Sequence, residues 1–216
     1  MSDRKRIIPF KTHFLLSLDK LAQTGKNYDI VVFGEYQGNA VLHRLEKKLL
    51  AAVYEQYPDV AVSLEMFERD SQKVLSAYLA GRVSEAAFLE QSRPWPNYGS
   101  DYRPLVEFVP VLASNIPRSI AAHYARRGTL DGMDDTMLSY LPRIYRAPHG
   151  EYRQQFAGQM QAMSKQHSAM PVTEGQIEAF YRAQCLKDDA MAESILDHYR
   201  RYPARVIIFV KQHSAS

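Results

Sequence analysis

Apolar and polar positions along this chain follow two periods in alternation. Within YDIVVFGEYQGN, four apolar residues at 30–33 run straight into Gly34 and Glu35, and a short unbroken apolar run closed by a turn signal predicts a buried strand. Asn39 then predicts the N-cap of a helix to about residue 57, on which Val41, Leu42, Leu45, Leu49, Leu50 and Val53 keep the helical period until Pro58-Asp59 end it. VAVSLEMF at 60–67 predicts a second strand, again ending in a glutamate, Glu65. Asp70 or Ser71 caps a helix reaching Leu79, with Gly81 as its stop, and 84–91 reads as a short helix. After the turn-rich loop at 92–104, which holds Trp95, a short helix at 102–108 leads into PVLASN, a third strand ending at Asn115. Pro117 opens and Gly128 closes the next helix. Residues 129–148 carry mixed signals, 152–168 and 173–201 read as helices, and RVIIFV at 205–210 is the last strand.

Strands alternating with helices predict an α/β fold, mainly a parallel sheet flanked by helices in a three-layer α/β/α arrangement, with a helical insertion in the second half. Residues 1–216 read as a single domain with a mostly helical subregion at about 129–200. In such sheets ligands bind beyond the carboxyl ends of the strands. Glu35, Glu65, Asn115 and His213 each fall at or just past such an end, so one rim gathers two carboxylates, an amide and an imidazole. That set can hold a divalent metal such as zinc or manganese that activates water, or can do general acid–base work. The structural alternative is that Glu35 and Glu65 are satisfied by helix N-termini or by Arg69 and Arg118.

Composition narrows the classes. Hydrophobic residues make up 46% and charged residues 24% of 216, ordinary for a soluble globular protein. No apolar run approaches the roughly 18 residues of a membrane span. The first twenty residues lack an apolar signal core and a small-residue cleavage site, so the chain reads as soluble and cytoplasmic. A net charge of +3 without a dense basic arm argues against a nucleic-acid partner, and the single cysteine, Cys185, excludes an internal disulfide. The methionines concentrate late. Tyr152, Phe156, Met160, Met163, His167 and Met170 recur at helical spacing on one face. The plain reading is a methionine-filled core or dimer face; the sharper one is a soft wall for a flat apolar cofactor, with Tyr or His as an iron ligand. His43 reads as a packing histidine, Asp188 as an inward-facing carboxylate on the long helix, and Cys185 as inert core.

VVFGEYQGN, SLEMFERD, YLAGR, DYRPLVEF, SNIPRSIAAHYARRG and FYRAQCLKDDAMAESI, in that order over residues 30–213, resemble the ChaN-type haem-binding uptake family, within the group containing the Tiki and TraB proteins. The resemblance implies an α/β fold and a bacterial, iron-regulated haem-uptake role, often as an envelope lipoprotein; a removed lipoprotein signal would place the chain in the envelope or periplasm. The wider group includes metal-dependent hydrolases with two Gly-x-x-His motifs and a glutamate. Here the first motif falls on Gly34-Glu35-Tyr36-Gln37, with Gln37 where histidine is expected, and the second on Val210-Lys211-Gln212-His213, with valine for glycine. An amide is a weak transition-metal donor, so the incomplete motifs lean away from catalysis without closing it. Glu65, Arg69, Asn115 and Arg118 match the family pattern. The resemblance thus implies haem against the helical region after Tyr145, with Tyr145 or Tyr152 as first candidate ligands, His149 and His167 behind them, and Met160 and Met163 lining the site. It also implies a homodimer through the haem face and envelope haem-uptake components as partners. The alternative is a hydrolase of peptides or esters using Glu35, Glu65 and His213.

Overall fold

The computed structural model describes residues 18–25, 28–36, 40–167, 171–202 and 207–213, and gives the backbone alone at 18–19, 35–36, 40, 166–167 and 207–213. Strands β1 (Ile30–Tyr36), β2 (Ala61–Leu64), β3 (Val111–Leu112) and β4 (Ile207–His213) form one parallel sheet in the order β1-β4-β2-β3. The last strand of the chain therefore slots between the first two. Its register pairs Ile30 with Ile207 on one side and Ala61 with Ile207 on the other. Both flanks of β4 thus depend on contacts distant in sequence.

The core strand is β2, not β1. Ala61, Val62, Ser63 and Leu64 are all buried, whereas Val32 on β1 is 64% exposed, because β1 lies at the sheet edge with β4 as its single described neighbour. An unbroken apolar run was expected to be buried on both faces; an edge position leaves one of its side chains to solvent.

Helices α1 (Leu18–Gly25) and α2 (Ala40–Gln56) pack together, and Leu49, Leu50 and Val53 of α2 enter the main core. His43 is buried on that helix, its ring edge-on to Tyr102 at 4.8 Å and its Nδ1 3.4 Å from Glu46. That is the packing role expected of it. Helix α3 (Gln72–Leu79) ends where Gly81 turns at φ +67°. Helix α4 (Glu85–Ser92) is capped by Ser84, whose Oγ accepts from the Ala87 amide at 3.3 Å. The aromatic loop then winds through a wide turn at Tyr98–Tyr102 into the short α5 (Arg103–Val106). Tyr98, Tyr102, Phe88 and Phe67 bury their rings together there, with Trp95 packed against Tyr102.

Helix α6 (Arg118–Arg127) closes at Gly128, φ +70°, whose amide donates to the Tyr124 carbonyl at 2.8 Å. The mixed stretch after it contains only the single turn α7 (Asp135–Leu138), capped by Asp134. Helices α8 (Glu151–His167) and α9 (Glu174–Arg201) follow, close to the expected bounds. Thr173 and Gln176 form a reciprocal capping box at the start of α9. Helix α9 is the post around which the second half is built. Ala183, Leu186 and Ala190 pack on Ile116, Ile120 and Tyr124, while Met191 and Ile195 face Ile30 and Leu112 of the sheet. Cys185 is buried on the same helix, beside Tyr181.

Candidate functional site

The end of β2 is the first of two polar centres. Glu65 follows the strand directly, and its Oε1 accepts from Lys187 Nζ on α9 at 2.9 Å. Asn115 lies beside it. Its side-chain amide donates to the Glu65 carbonyl at 2.9 Å, and its backbone exchanges hydrogen bonds with Phe67 and Arg69. Arg69, also expected here, reaches across to α9. Its Nε donates to Ser194 Oγ at 2.9 Å, Nη1 to the Tyr140 carbonyl at 2.9 Å, and Nη2 to the Ala190 carbonyl at 2.5 Å and Glu193 at 3.2 Å. Burial pulls the guanidinium below its ordinary pKa and Glu193 opposes that shift, so the group stays charged. Arg118 sits at the start of α6 and donates to Glu68 at 2.5 Å and to the Arg93 carbonyl at 2.6 Å.

The pairing differs from the one expected. Arg69 and Arg118 do not satisfy Glu65; Lys187 does, and the two arginines hold Glu193 and Glu68 instead. The reason is geometric: residues 65, 68 and 69 leave the strand on a tight turn that points them in different directions. Glu68 is the most buried acid of this centre, 4% exposed, and takes Arg93 on its second oxygen at 3.0 Å. Arg93 turns through a left-handed φ of +49° as the C-cap of α4 while its guanidinium spans Glu68 and Asp70. Sequence reasoning missed Glu68, Arg93, Lys187 and Glu193. Only the three-residue spacing from Glu65 to Glu68 hinted at a second inward acid. Of the remaining rim candidates, Glu35 and His213 are placed by backbone alone, in the register Glu35 with Gln212 and Tyr36 with His213. Their side chains, and all of Gln37, lie outside the described residues. Among the described residues no three His, Cys, Asp or Glu side chains cluster as a metal site.

The second centre is built on the outer part of α9. The segment at 142–150 is strapped to that helix by carboxylates. Arg143 gives its amide to Glu193 at 2.9 Å and its guanidinium to both oxygens of Asp197 at 2.8 Å. The Arg146 amide donates to Asp189 at 2.7 Å, and the Tyr181 hydroxyl donates to the Pro148 carbonyl at 2.5 Å. Asp189, Glu193 and Asp197 are four residues apart, one stripe of the helix. The strap lifts Ile144 and Tyr145 outward, 68% and 42% exposed. The Tyr145 ring stands edge-on to Tyr124 at 6.3 Å, and its hydroxyl has no hydrogen-bond partner among the described residues. His149 is exposed on the same strap.

Tyr152, the other expected tyrosine, is held differently. It donates to Asp188 Oδ2 at 2.5 Å, and burial, reinforced by the Asp188 charge, raises its pKa well above the ordinary phenol value. Asp188 thus faces inward, as expected. Tyr152 and Phe156 both pack on Tyr181, where α8 crosses α9, and Arg153 ties the two helices through Glu174 and Glu178. Met160 is half-buried and Met163 is exposed on α8. The His167 side chain and Met170 lie outside the described residues.

The family profile described as haem-binding uptake, Tiki superfamily, ChaN matches residues 21–215. The chain belongs to the ChaN family. A solved structure of ChaN of Campylobacter jejuni, described for its cofacial haem binding, is similar in fold, with a TM-score of 0.68 at 15% identity over 91% of this chain and 75% of that one. No curated protein matches the chain. That likeness in fold, with the small parallel sheet, agrees with the α/β fold that the resemblance implied. No described helix is long and apolar enough to cross a membrane.

Proposed function

We propose that this chain binds haem on the outer face of α9, against the strap at 142–150 and helix α8, and serves a bacterial haem or iron uptake system without catalysing a reaction. The observation that carries this reading is Tyr145. It offers an exposed ring and a hydroxyl without a partner among the described residues, beside the exposed Ile144, on a segment pinned to α9 by Glu193, Asp197 and Asp189. An exposed phenol can release its proton to solvent as its oxygen ligates ferric iron. Tyr152 would first have to leave Asp188, and the raised proton affinity of its phenol opposes that. Tyr145 therefore ranks ahead of Tyr152 as the iron ligand. His149, on the same strap, is the nitrogen donor nearest to it in sequence, with His167 of α8 behind.

Haem supplies a ferric iron with an open axial position and a flat apolar face. The residues present suit both: a phenol for the iron, and Ile144, Tyr145, Met160 and Met163 as apolar or polarisable walls. Exposed apolar residues around one strap also suit a second copy, so a haem-bridged homodimer belongs to this proposal. Envelope haem-uptake components are the proposed partners, and fractionation of expressing cells distinguishes a cytoplasmic from an envelope location.

The test is a haemin titration followed at the Soret band. Saturable binding well above that of an unrelated control protein, with Tyr145→Phe shifting the spectrum and weakening binding more than Tyr152→Phe, supports the reading. Haemin binding no better than the control overturns it, as does a spectrum indifferent to changes at Tyr145, Tyr152, His149 and His167. Sizing the protein with and without haemin tests the dimer.

A further inference from the structure

We infer that Arg182 is an anchor for a carboxylate, one of the propionates of the bound haem, placed beside Tyr145 by the buried ring of Tyr124. The inference rests on the haem reading and names the residue that recognises the charged edge of the cofactor.

Half of the arginines with described side chains meet a carboxylate, among them Arg69, Arg93, Arg118, Arg143 and Arg153. Arg182 is exposed and among the described residues meets none. It is nevertheless held in place. Its guanidinium carbon lies 5.2 Å from the centre of the Tyr124 ring, and its Nη2 donates to the Tyr124 hydroxyl at 2.8 Å. Tyr124 is itself buried in the packing between α6 and α9, so the guanidinium rests on a fixed support. One N–H is used and the rest of the planar fork remains for an incoming acceptor.

The same Tyr124 ring carries Tyr145 edge-on at 6.3 Å. One buried aromatic thus sets both an exposed phenol and a carboxylate-free guanidinium, next to the exposed Ile144. A ligand suited to that trio is flat and apolar, takes an oxygen donor and ends in a carboxylate. Haem has this pattern. Preorganisation singles out Arg182 from its neighbour in the strap, Arg146, whose backbone amide is anchored on Asp189 while its guanidinium meets no partner among the described residues.

The test compares haemin with its dimethyl ester, which keeps the iron and the flat face but caps both propionates. Wild type, Arg182→Met, Arg182→Lys and Arg146→Met are titrated with each. Arg182→Met is expected to weaken haemin roughly tenfold, equivalent to about 1.4 kcal/mol, and to leave the ester unchanged, while Lys recovers part of the loss. The Soret maximum set by the axial ligand stays where it was. Equal loss for haemin and ester, no loss for either, or a selective loss in Arg146→Met instead overturns the anchor while leaving the haem reading intact. If wild type takes neither porphyrin above the control protein, the haem reading fails and the anchor falls with it.

Discussion

Replacing Arg69 by methionine keeps the apolar stem and removes the fork that joins the end of β2 to α9 and to Tyr140. The cost follows from what each partner has left. The Ser194 hydroxyl, with its single proton, still serves the Ala190 carbonyl at 2.9 Å or the Ser114 carbonyl at 3.1 Å. Glu193 keeps the amide and guanidinium of Arg143. Among the described residues the half-buried Tyr140 carbonyl has no second donor, and an acceptor left unsatisfied away from water costs about 1–3 kcal/mol. Breaking a buried ion pair costs roughly 3–5 kcal/mol when its partner is left bare, and Glu193 is not left bare. Loss of the charge-assisted hydrogen bond to the Ala190 carbonyl adds about 1.5–3 kcal/mol, so about 3–4 kcal/mol in total is the working figure. With a urea slope of about 2.5 kcal/mol/M, the midpoint should fall by roughly 1.2–1.6 M. Arg69→Lys keeps the charge but reaches only one or two acceptors, so about half that fall is expected. Trp95 fluorescence and far-ultraviolet circular dichroism should report the transition together. A methionine variant within about 0.3 M of wild type, or a lysine variant indistinguishable from it, refutes the claim that this fork joins the two halves.

Asp188→Asn removes the charge that reinforces burial at Tyr152, so the phenol should titrate at lower pH, read by phenolate absorbance. Because the folded state raises this pKa, its stabilisation is complete below the unfolded value of 10.0 and is lost as pH rises through the higher folded value. Alkaline unfolding should therefore be less steep in the variant; an unchanged titration would show that the hydrogen bond is not made. Asp197 behaves oppositely: its hydrogen bond to Arg143, then the charges of Arg143 and Arg200, lower its pKa below 3.8. Its contribution is present above 3.8 and is lost as pH falls through the lower folded value, so Arg143→Met should flatten the acid limb of a stability–pH curve. Thr173→Ala removes one side of the capping box on α9 and should cost about 1 kcal/mol in thermal unfolding without moving haemin affinity.

Local signals carried far into this fold and stopped where distant segments meet. Ser84, Pro117 with Gly128, and Thr173 with Gln176 mark helix ends through their own backbone chemistry, and those helices stand close to where the pattern put them. The burial of Ile30, Val31, Val32 and Phe33 was not readable in the same way. Whether an apolar strand is central or at an edge depends on which strand pairs with it, and here the partner is β4, some 170 residues later in the chain. The rim residues show the same division. The strand-end rule brought Glu65 and Asn115 together correctly, because both leave neighbouring parallel strands at one edge. Their charge partners lie on α9, and no local pattern says that Lys187 faces Glu65 or that Glu193 faces Arg69.

That division bears on where function sits. At the sheet end the described Glu65, Glu68, Arg69 and Arg118 are all drawn into pairings that tie β2, α6 and α9 together, and replacing a member there should act first on stability. The outer face of α9 is arranged differently. Its carboxylates hold the backbone amides of residues 143 and 146 and the Arg143 guanidinium, fixing a strap on which Ile144 and Tyr145 are exposed. An exposed isoleucine and a tyrosine whose hydroxyl has no partner among the described residues gain the fold little, yet the helix commits Glu193, Asp197 and Asp189 to holding their strap in place. Stabilising interactions placed beneath an apolar display are what a preorganised binding face requires. Loosening the strap with Asp189→Ala should therefore lower haemin affinity more than it lowers the unfolding midpoint, whereas Arg69→Met should do the reverse. A common ranking in both assays would refute the separation of the two centres.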